Sequence, residues 1–343
     1  MRSPRFDEEI AFELKNGIIH GACVNTGNAT TTRLEQAWGH ANPAHTVPMQ
    51  TDTVIDLASV TKVLATTTAL LLAHDDGLID FGAPLDSYLS DYTAPLSQTI
   101  TVRDLAMHVS GFGQQTHYNA PTGREIRRKL LSVPPPRPRG RFEYSCWNFQ
   151  LLGMILEQTT GLPLPHYCRD RIFRPLGMKD TALGHPATTD PARLAQTCAT
   201  KRPGQISDFI AFRLYRDGFS AGNAGAFSCA PDLARFCRCL LCRGEYAPGK
   251  RLFSEYAFDA ITVPRVVHGR VKRSFGWIVA DEWKPAGFSE RTLYHSGWSG
   301  QTVFLDLERH FYAVVLTTRT LNEYDRARAG RFKIIGSLFD ATR

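Results

Sequence analysis

The chain has 343 residues, of which 43% are hydrophobic and 21% are charged, and its formal net charge is +7. A chain of this length and composition can bury a substantial core. The modest charge excess comes with no nucleic-acid-binding motif, and no run of about 18 uncharged apolar residues stands apart from one predicted helix. We therefore expect neither nucleic-acid binding nor a membrane span.

The first residues and the cysteines bear on the cellular compartment. Residues 1–9 turn acidic at once and contain no hydrophobic stretch, so they do not resemble a signal peptide. We expect a cytoplasmic protein, and we expect its eight cysteines to be free thiols rather than disulfides.

The N-terminal part of the chain predicts a helix followed by two strands. The helix covers residues 7–15, and the strands cover Ile18–Val24 and Arg33–Gly39. A long helix with very few charges is predicted over Ser59–Asp76, and Gly77 supplies its stop signal. Because it carries so little charge, this helix should be mostly buried.

The middle of the chain, residues 80–250, predicts mainly helices and long loops rich in proline and glycine. One of these loops, residues 133–141, is basic and proline-rich. It predicts a semi-rigid connector or, alternatively, a positively charged rim that attracts an anionic substrate.

A group of cysteines lies near the end of this middle region. Cys237, Cys239 and Cys242 fall on one predicted amphipathic helix, with Cys229 upstream. Their spacing lacks the paired Cys-x-x-Cys or the histidine partner of a zinc site. We therefore expect these residues to pack in the core, and we predict no metal and no cofactor.

The C-terminal part of the chain returns to strands and ends in a helix. The predicted strands are Phe275–Ala280, Thr292–His295 and a hairpin of Gln301–Leu307 with Phe311–Thr318, and the predicted helix is Arg326–Thr342. Strands from both ends of the chain therefore flank a helical middle. This order predicts an α+β fold, with an antiparallel sheet covered by the terminal helices and an inserted helical region.

The start of the long helix carries a pattern suited to nucleophilic catalysis. In Ser59-Val60-Thr61-Lys62, the lysine amine lies one helical turn from the serine hydroxyl. A serine hydroxyl is a weak nucleophile near neutral pH and needs a base within hydrogen-bond reach. A partly desolvated lysine can lose its proton and act as that base. Most Ser-x-x-Lys patterns are surface turns, but the apolar helix that follows this one favours a catalytic role for its serine and lysine.

Two later segments complete a resemblance to a known superfamily. Together with Ser59–Lys62, Tyr144–Cys146 and His295–Gly297 resemble the S-x-x-K, Y-x-N and K/H-x-G motifs of the class C β-lactamase-like serine hydrolases. This superfamily includes class C β-lactamases, D-stereospecific peptidases, some penicillin-binding proteins and esterases. Leu105–Phe112 and Gly222–Ser228 are similar to two further stretches of the family.

The resemblance implies a single catalytic domain over residues 1–343 with a β-lactamase/penicillin-binding-protein-like fold. Its sheet would come from residues 1–58 and 251–343, and its helical part from residues 59–250. The active site would lie between the two parts. No oligomeric state is predicted.

The resemblance also implies roles for particular residues. Ser59 would be the nucleophile, Lys62 its neighbour, and Tyr144 a general base or proton relay. His295 would stabilise the Tyr144 phenolate or bind a substrate carboxylate, and the backbone N–H groups of Ser59 and Trp298 would form the oxyanion hole. Alternatively, Tyr144 is a buried aromatic residue and His295 a strand-edge histidine without a catalytic role.

The predicted substrate-binding residues are Cys146, Asn148, Asn223, Ser296 and Gly297. Cys146 replaces the family's asparagine, and a thiol is a weaker partner for a lysine or a substrate amide. Asn148 points about 200° around the helix from Cys146 and is a doubtful substitute.

The third motif also departs from the family, since it is His-Ser-Gly rather than Lys-Thr-Gly. Both departures favour weak or no β-lactamase activity, and the expected cytoplasmic location favours a small ester, an amide or a D-residue peptide as substrate. Two alternatives remain open at this point. The same acyl-enzyme could pass its acyl group to an amine or alcohol, or the chain could be a binding protein that has lost catalysis.

Overall fold

The computed structural model describes residues 4–95, 99–113 and 120–341. Its helices are α1 Pro4–Lys15, α2 Thr68–Asp75, α3 Val102–Ala106, α4 Gly123–Ser132, α5 Cys146–Thr160, α6 Leu164–Cys168, α7 Phe209–Arg216, α8 Ala230–Leu241, α9 Glu255–Thr262 and α10 Tyr324–Ala341. Its strands are β1 Ile19–Gly27, β2 Thr32–Gly39, β3 Ile55–Asp56, β4 Ala182–Leu183, β5 Ala226–Ser228, β6 Glu245–Ala247, β7 Lys250–Arg251, β8 Val266–His268, β9 Val271–Arg273, β10 Ile278–Ala280, β11 Thr292–Ser296, β12 Gln301–Asp306 and β13 Phe311–Arg319.

An eight-stranded antiparallel sheet forms the centre of the molecule, with the order β2-β1-β13-β12-β11-β10-β9-β8. The two ends of the chain meet in this sheet, since β1 pairs with β13 along almost its whole length. The predicted α+β fold class is therefore confirmed. The described residues contain no helix that combines the length and the apolar character needed to cross a bilayer.

The two faces of the sheet contribute to different apolar cores. Leu293 and Val303 belong to the larger core, which the helical region fills. Tyr294 and Phe304, which alternate with them along β11 and β12, belong to a smaller core that α1 and α10 cover. This alternation follows from the two-residue period of strand side chains.

The sheet edge differs from the sequence prediction. The predicted strand Phe275–Ala280 begins only at Ile278, and an additional hairpin, β8–β9, precedes it. Gly276 has a φ of +79° and donates its N–H to Ala106 O at 3.1 Å, so the chain turns at this residue and contacts the helical region. Such a bond to the helical region interrupts the strand, and local propensity does not reveal it.

The predicted helix Ser59–Asp76 is present but is not α-helical throughout. It begins with a 3₁₀ turn over Ala58–Val60, widens to a π-helix over Lys62–Thr67 and continues as α2. In the widened part, the Thr68 hydroxyl donates to Val63 O at 2.9 Å and so occupies a carbonyl of the preceding turn. Side-chain bonds of this kind compete with regular helix bonds, and π turns are frequent at functional sites.

Candidate active site

A strained turn holds Ser59 at the start of its helix. Ala58 has a φ of +45°, an unusual conformation for a residue with a side chain. The buried Asp56 carboxylate fixes this turn, because it accepts hydrogen bonds from Ala58 N at 3.3 Å and Ser207 N at 2.9 Å. Burial raises the pKa of Asp56 to about 6, although these bonds oppose the rise.

Lys62 lies one turn after Ser59 and is entirely buried. Its ammonium group donates to Ser59 Oγ at 3.0 Å, to Asn223 O at 3.0 Å and to Cys146 Sγ at 3.5 Å. Burial alone would lower the pKa of Lys62, but Cys146 and Tyr144 outweigh burial and raise it above its usual value. The lysine is therefore charged in the resting site and is held in one position.

The carbonyl group of Asn223 reaches Lys62 because its segment packs tightly on the helices. A Cβ at Gly222 would lie 2.1 Å from Phe149 O, so only glycine allows this approach. The Thr66 hydroxyl donates to Gly222 O at 2.6 Å and secures the contact. The amide of Asn223 itself is buried and donates to Asp208 Oδ2 at 3.2 Å.

The half-buried Tyr144 stands beside this lysine, just before α5. Lys62 Nζ lies 5.1 Å from the centre of its ring, and the ring centres of His108 and His295 lie 4.7 and 6.3 Å away. Burial raises the pKa of the Tyr144 phenol, while its interactions with Lys62 and Ser59 act in the opposite direction.

The predicted residue Asn148 faces away from this group. Its side chain is fully buried, accepts a hydrogen bond from Ser110 Oγ at 2.6 Å and lies 3.2 Å from His108 Nδ1. The same His108 nitrogen accepts the N–H of Ser145 at 3.1 Å. Asn148 thus supports the segments that carry Tyr144, whereas Cys146 contacts the lysine.

His295, from the third motif, is 2% exposed, and neither ring nitrogen has a hydrogen-bond partner among the described residues. Burial lowers the pKa of His295 far below its usual value, and the positive charges of Lys62 and Arg273 lower it further. The imidazole is therefore neutral. The next residue, Ser296, places its hydroxyl 3.0 Å from Thr302 Oγ1.

Gly297 brings the end of β11 against the turn that carries Ser59. A Cβ at Gly297 would lie 2.5 Å from Leu57 O, so a larger residue would force the two segments apart. Trp298 follows, with its carbonyl oxygen 2.5 Å from Arg319 Nε and its ring 5.0 Å from that guanidinium group. The peptide N–H of Trp298 has no acceptor in residues 4–95, 99–113 and 120–341.

Comparison with known proteins assigns this arrangement to a family. The sequence profile described as β-lactamase matches residues 14–335, nearly the whole chain. The chain belongs to the β-lactamase family. The superfamily resemblance drawn from the three motifs is thereby confirmed.

Relatives within and around the β-lactamase family differ in their described activities. A protein of Salmonella agona named "Putative D-alanyl-D-alanine carboxypeptidase" is 27% identical, over 83% of this chain and 76% of the relative. The solved structure of "EstCE1, a hydrolase with promiscuous acyltransferase activity" is 20% identical, with a TM-score of 0.79 over 98% of this chain and 97% of that chain. The solved structure of a β-lactamase from Sulfitobacter sp. EE-36 is 24% identical, with a TM-score of 0.78 over 99% of this chain and 98% of that chain.

Two residues of this β-lactamase-family site had no role in the sequence analysis. His108 lies within the supporting stretch Leu105–Phe112, so its position in a family-like motif was an available signal. Arg273 lies on β9, where no motif marked it, and its guanidinium carbon is 5.8 Å from the centre of the Tyr144 ring.

The basic loop of residues 133–141 lies against the segment that carries His108. Gly140 N donates to Val109 O at 2.7 Å, and Arg139 donates to Thr99 O at 2.7 Å. Arg137 forms an ion pair with Glu143, beside Tyr144. These bonds connect the loop to the site, which is compatible with both the connector and the rim interpretations.

Possible metal ligands lie elsewhere in this protein. Among the described residues, Asp180, Cys229 and Asp232 form the one group whose ligand atoms lie within 4.8 Å of one another. Its carboxylates already have partners, since Asp180 pairs with Arg193 at 3.0 Å and Asp232 accepts from Thr181 Oγ1 at 2.8 Å. The other predicted cysteines lie outside this group: Cys237 and Cys239 are buried in α8, and Cys242 is exposed beyond its end.

Proposed function

We propose that this protein is a serine hydrolase that forms an acyl-enzyme on Ser59 and cleaves a small ester or amide. The observation that carries the proposal is the bond of 3.0 Å between Lys62 Nζ and Ser59 Oγ in a site where Lys62 is completely buried. Burying a charged amine is costly unless it is well bonded, and buried groups of this kind cluster at functional sites. A binding protein without catalysis would have no use for this arrangement.

Acylation begins when Ser59 Oγ attacks the acyl carbon of the substrate. The oxygen–carbon bond forms while the hydroxyl proton passes to the Lys62–Tyr144 pair, which must first have released one proton. The carbonyl oxygen becomes negative and is stabilised by the backbone N–H groups of Ser59 and Trp298. The leaving group then departs with a proton from the same pair.

Deacylation follows the same path in reverse, with water as the attacking group. An amine or alcohol could take the place of water, which would make the enzyme an acyltransferase. EstCE1, whose title describes promiscuous acyltransferase activity, shares this fold. We place hydrolysis first because water needs no second binding site.

The substrate preference follows from the second motif. Cys146 Sγ takes the position beside Lys62 where the family has an asparagine amide. A thiol is a poor partner for a substrate amide, whereas an ester makes no such demand. Esters should therefore be better substrates than β-lactams, and D-residue amides should be intermediate.

The proposal is tested with a fluorophosphonate probe and intact mass spectrometry. Wild-type protein should gain the mass of one probe, and Ser59→Ala should gain none. Ser87→Ala is a matched control, because it removes an exposed hydroxyl outside the site and should still be labelled. Labelling that persists in Ser59→Ala, or wild-type protein that remains unlabelled while esters are turned over, would contradict the serine mechanism.

A further inference from the structure

A buried arginine stands beside the proposed catalytic tyrosine. Arg273 is 8% exposed, and its guanidinium carbon lies 4.9 Å from the centre of the Phe142 ring and 5.8 Å from that of Tyr144. Nε and Nη1 are both buried, and neither has a hydrogen-bond partner within the described part of the chain. Two aromatic faces therefore surround a charged group that is otherwise poorly bonded.

No carboxylate among the described residues forms an ion pair with Arg273. The negative charge of Asp281 acts on Arg273 from a distance. The Asp281 carboxylate already accepts a hydrogen bond from the Tyr294 hydroxyl at 2.6 Å and forms an ion pair with Arg328 at 3.6 Å. Arginine keeps its charge even when burial lowers its pKa, as it does here. Since Arg273 is buried and Asp281 offsets its charge only in part, this charge acts strongly on its neighbours.

The position of Arg273 is fixed by the residues that follow it. Phe275 N donates to Ala260 O at 3.2 Å, and Gly276 N donates to Ala106 O at 3.1 Å. A Cβ at Gly276 would lie 2.1 Å from Thr67 Oγ1, so this turn packs directly on the helix of the nucleophile. These backbone contacts therefore hold Arg273 close to Tyr144.

Several elements around the Lys62–Tyr144 pair contribute titratable or charged groups, among them Asp208 before α7, whose negative charge raises the pKa of Lys62. Lys62 comes from the π-helix, Cys146 from α5, His108 from the loop after α3, His295 from β11 and Arg273 from β9. Burial, together with the charges of Lys62 and Arg273, holds the pKa of both histidines well below the usual range. Lys62 and Arg273 are therefore the cations beside the phenol, and both imidazoles are neutral.

We infer that Arg273, and not His295, is the second cation of the site, and that its charge stabilises the Tyr144 phenolate that receives the proton of Ser59. The inference rests on the proposed function. Lys62 is the first cation and contacts Ser59 directly, whereas Arg273 acts through Tyr144 and is a positioning residue. As the Ser59 oxygen–carbon bond forms, the hydroxyl proton moves to the phenolate, and it later leaves with the departing group.

The test is the pH dependence of kcat/KM on a neutral ester, p-nitrophenyl acetate. A nearby positive charge favours loss of a proton from the Lys62–Tyr144 pair, so its removal must raise the pH at which the enzyme becomes active. Arg273→Gln should move the acidic limb upward by about one pH unit, with little change in KM. Arg273→Lys should restore most of the shift.

A second arm uses His295. Because this imidazole is already neutral, His295→Gln should leave the acidic limb at its wild-type pH even if the rate falls. Arg309→Gln is the charge control, because Arg309 lies in the β12–β13 turn, where its Nε is 3.6 Å from Asp306 Oδ2. This variant should change neither the rate nor the pH of the acidic limb. Melting curves check that each variant is folded.

The outcomes separate the inference from the function on which it rests. Ester turnover that survives Ser59→Ala overturns the proposed function and the inference with it. Turnover that depends on Ser59, with an unmoved limb in Arg273→Gln or a raised limb in His295→Gln, overturns the inference alone. If Arg273→Gln does not fold, a raised limb in His295→Gln still overturns the inference.

Discussion

The two faces of the large sheet each enclose a charged side chain, Lys62 on one face and Glu13 on the other, and the two are bonded differently. On the side of the helical region, Lys62 donates three hydrogen bonds. On the side of α1 and α10, Glu13 and Arg331 are equally buried, yet Glu13 Oε2 and both terminal nitrogens of Arg331 have no partner in the described residues. Hydrogen bonds to a charged form oppose the effect of burial on its pKa, and a buried charge with few such bonds shifts towards its neutral form.

The second face shows this response at Glu13. A Cβ at Gly330 would lie 1.2 Å from Glu13 Oε1, so the carboxyl group fills the space that the glycine leaves on α10. Burial raises the pKa of Glu13 to about 7, and the charge of Arg331 only partly opposes the rise. Glu13 thus makes the stability of this face dependent on pH, whereas Lys62 on the other face is the charge to which we assign a role in the proposed reaction.

The largest effect should come from removing the well-bonded charge of Lys62. Lys62→Ala should reduce ester turnover by at least about a hundredfold, because the nucleophile loses the charge and the proton path beside it. Circular dichroism should remain native-like. Lys179→Ala, at an exposed position, is the matched control and should keep its rate. Near-normal rates in Lys62→Ala would remove the lysine from the mechanism.

A smaller effect on the same side should sharpen the account of specificity. Cys146→Asn restores an amide beside Lys62, so it should raise amide or β-lactam turnover relative to ester turnover. A poorly paired polar group costs about 1–3 kcal/mol, so the ratio of the two kcat/KM values should change about tenfold or more. Cys146→Ser controls for loss of the thiol. A ratio that does not move, or wild-type enzyme that prefers nitrocefin to esters, would contradict the predicted preference.

The smallest effect concerns the other face and appears only in stability. The raised pKa means that folded Glu13 keeps its proton between about pH 4.5 and 7 while the unfolded chain loses it, so its contribution to stability falls as the pH rises through this window. Glu13→Gln should therefore melt like wild type at pH 5 and a few degrees higher at pH 8. Glu8→Gln, exposed on the same helix, should show no such difference. An equal melting temperature at both pH values for Glu13→Gln and wild type would show that Glu13 is charged when folded.

What the sequence predicts well in this molecule is set by residues close together in the chain. Helical spacing places Lys62 against Ser59, and the same argument turns Asn148 away from Cys146. The alternation of apolar residues predicts the β12–β13 hairpin, which the structure confirms. These features depend on local geometry that recurs in every helix and strand.

What the sequence does not predict depends on contacts between distant segments. The approach of Arg273 to Tyr144 requires the turn at Gly276 to pack on Thr67, and no local pattern encodes that contact. The strained φ of Ala58 is likewise maintained by Asp56, which Ser207 holds in place from far along the chain. The fold class therefore follows from the sequence, whereas the electrostatics of the site do not.

The pairing of β1 with β13 also determines when the site can form during folding. Thr26 Oγ1 donates to Tyr312 O at 2.6 Å, although the two residues are 286 positions apart. β13 also fixes the loop that carries Trp298, since Thr317 N donates to Gly300 O at 2.9 Å. Contacts this distant in sequence form late and slow the folding of a chain. The ribosome must therefore release the last strand before the proposed oxyanion donors can meet Ser59, and we expect shortened chains without β13 to be inactive rather than partly active.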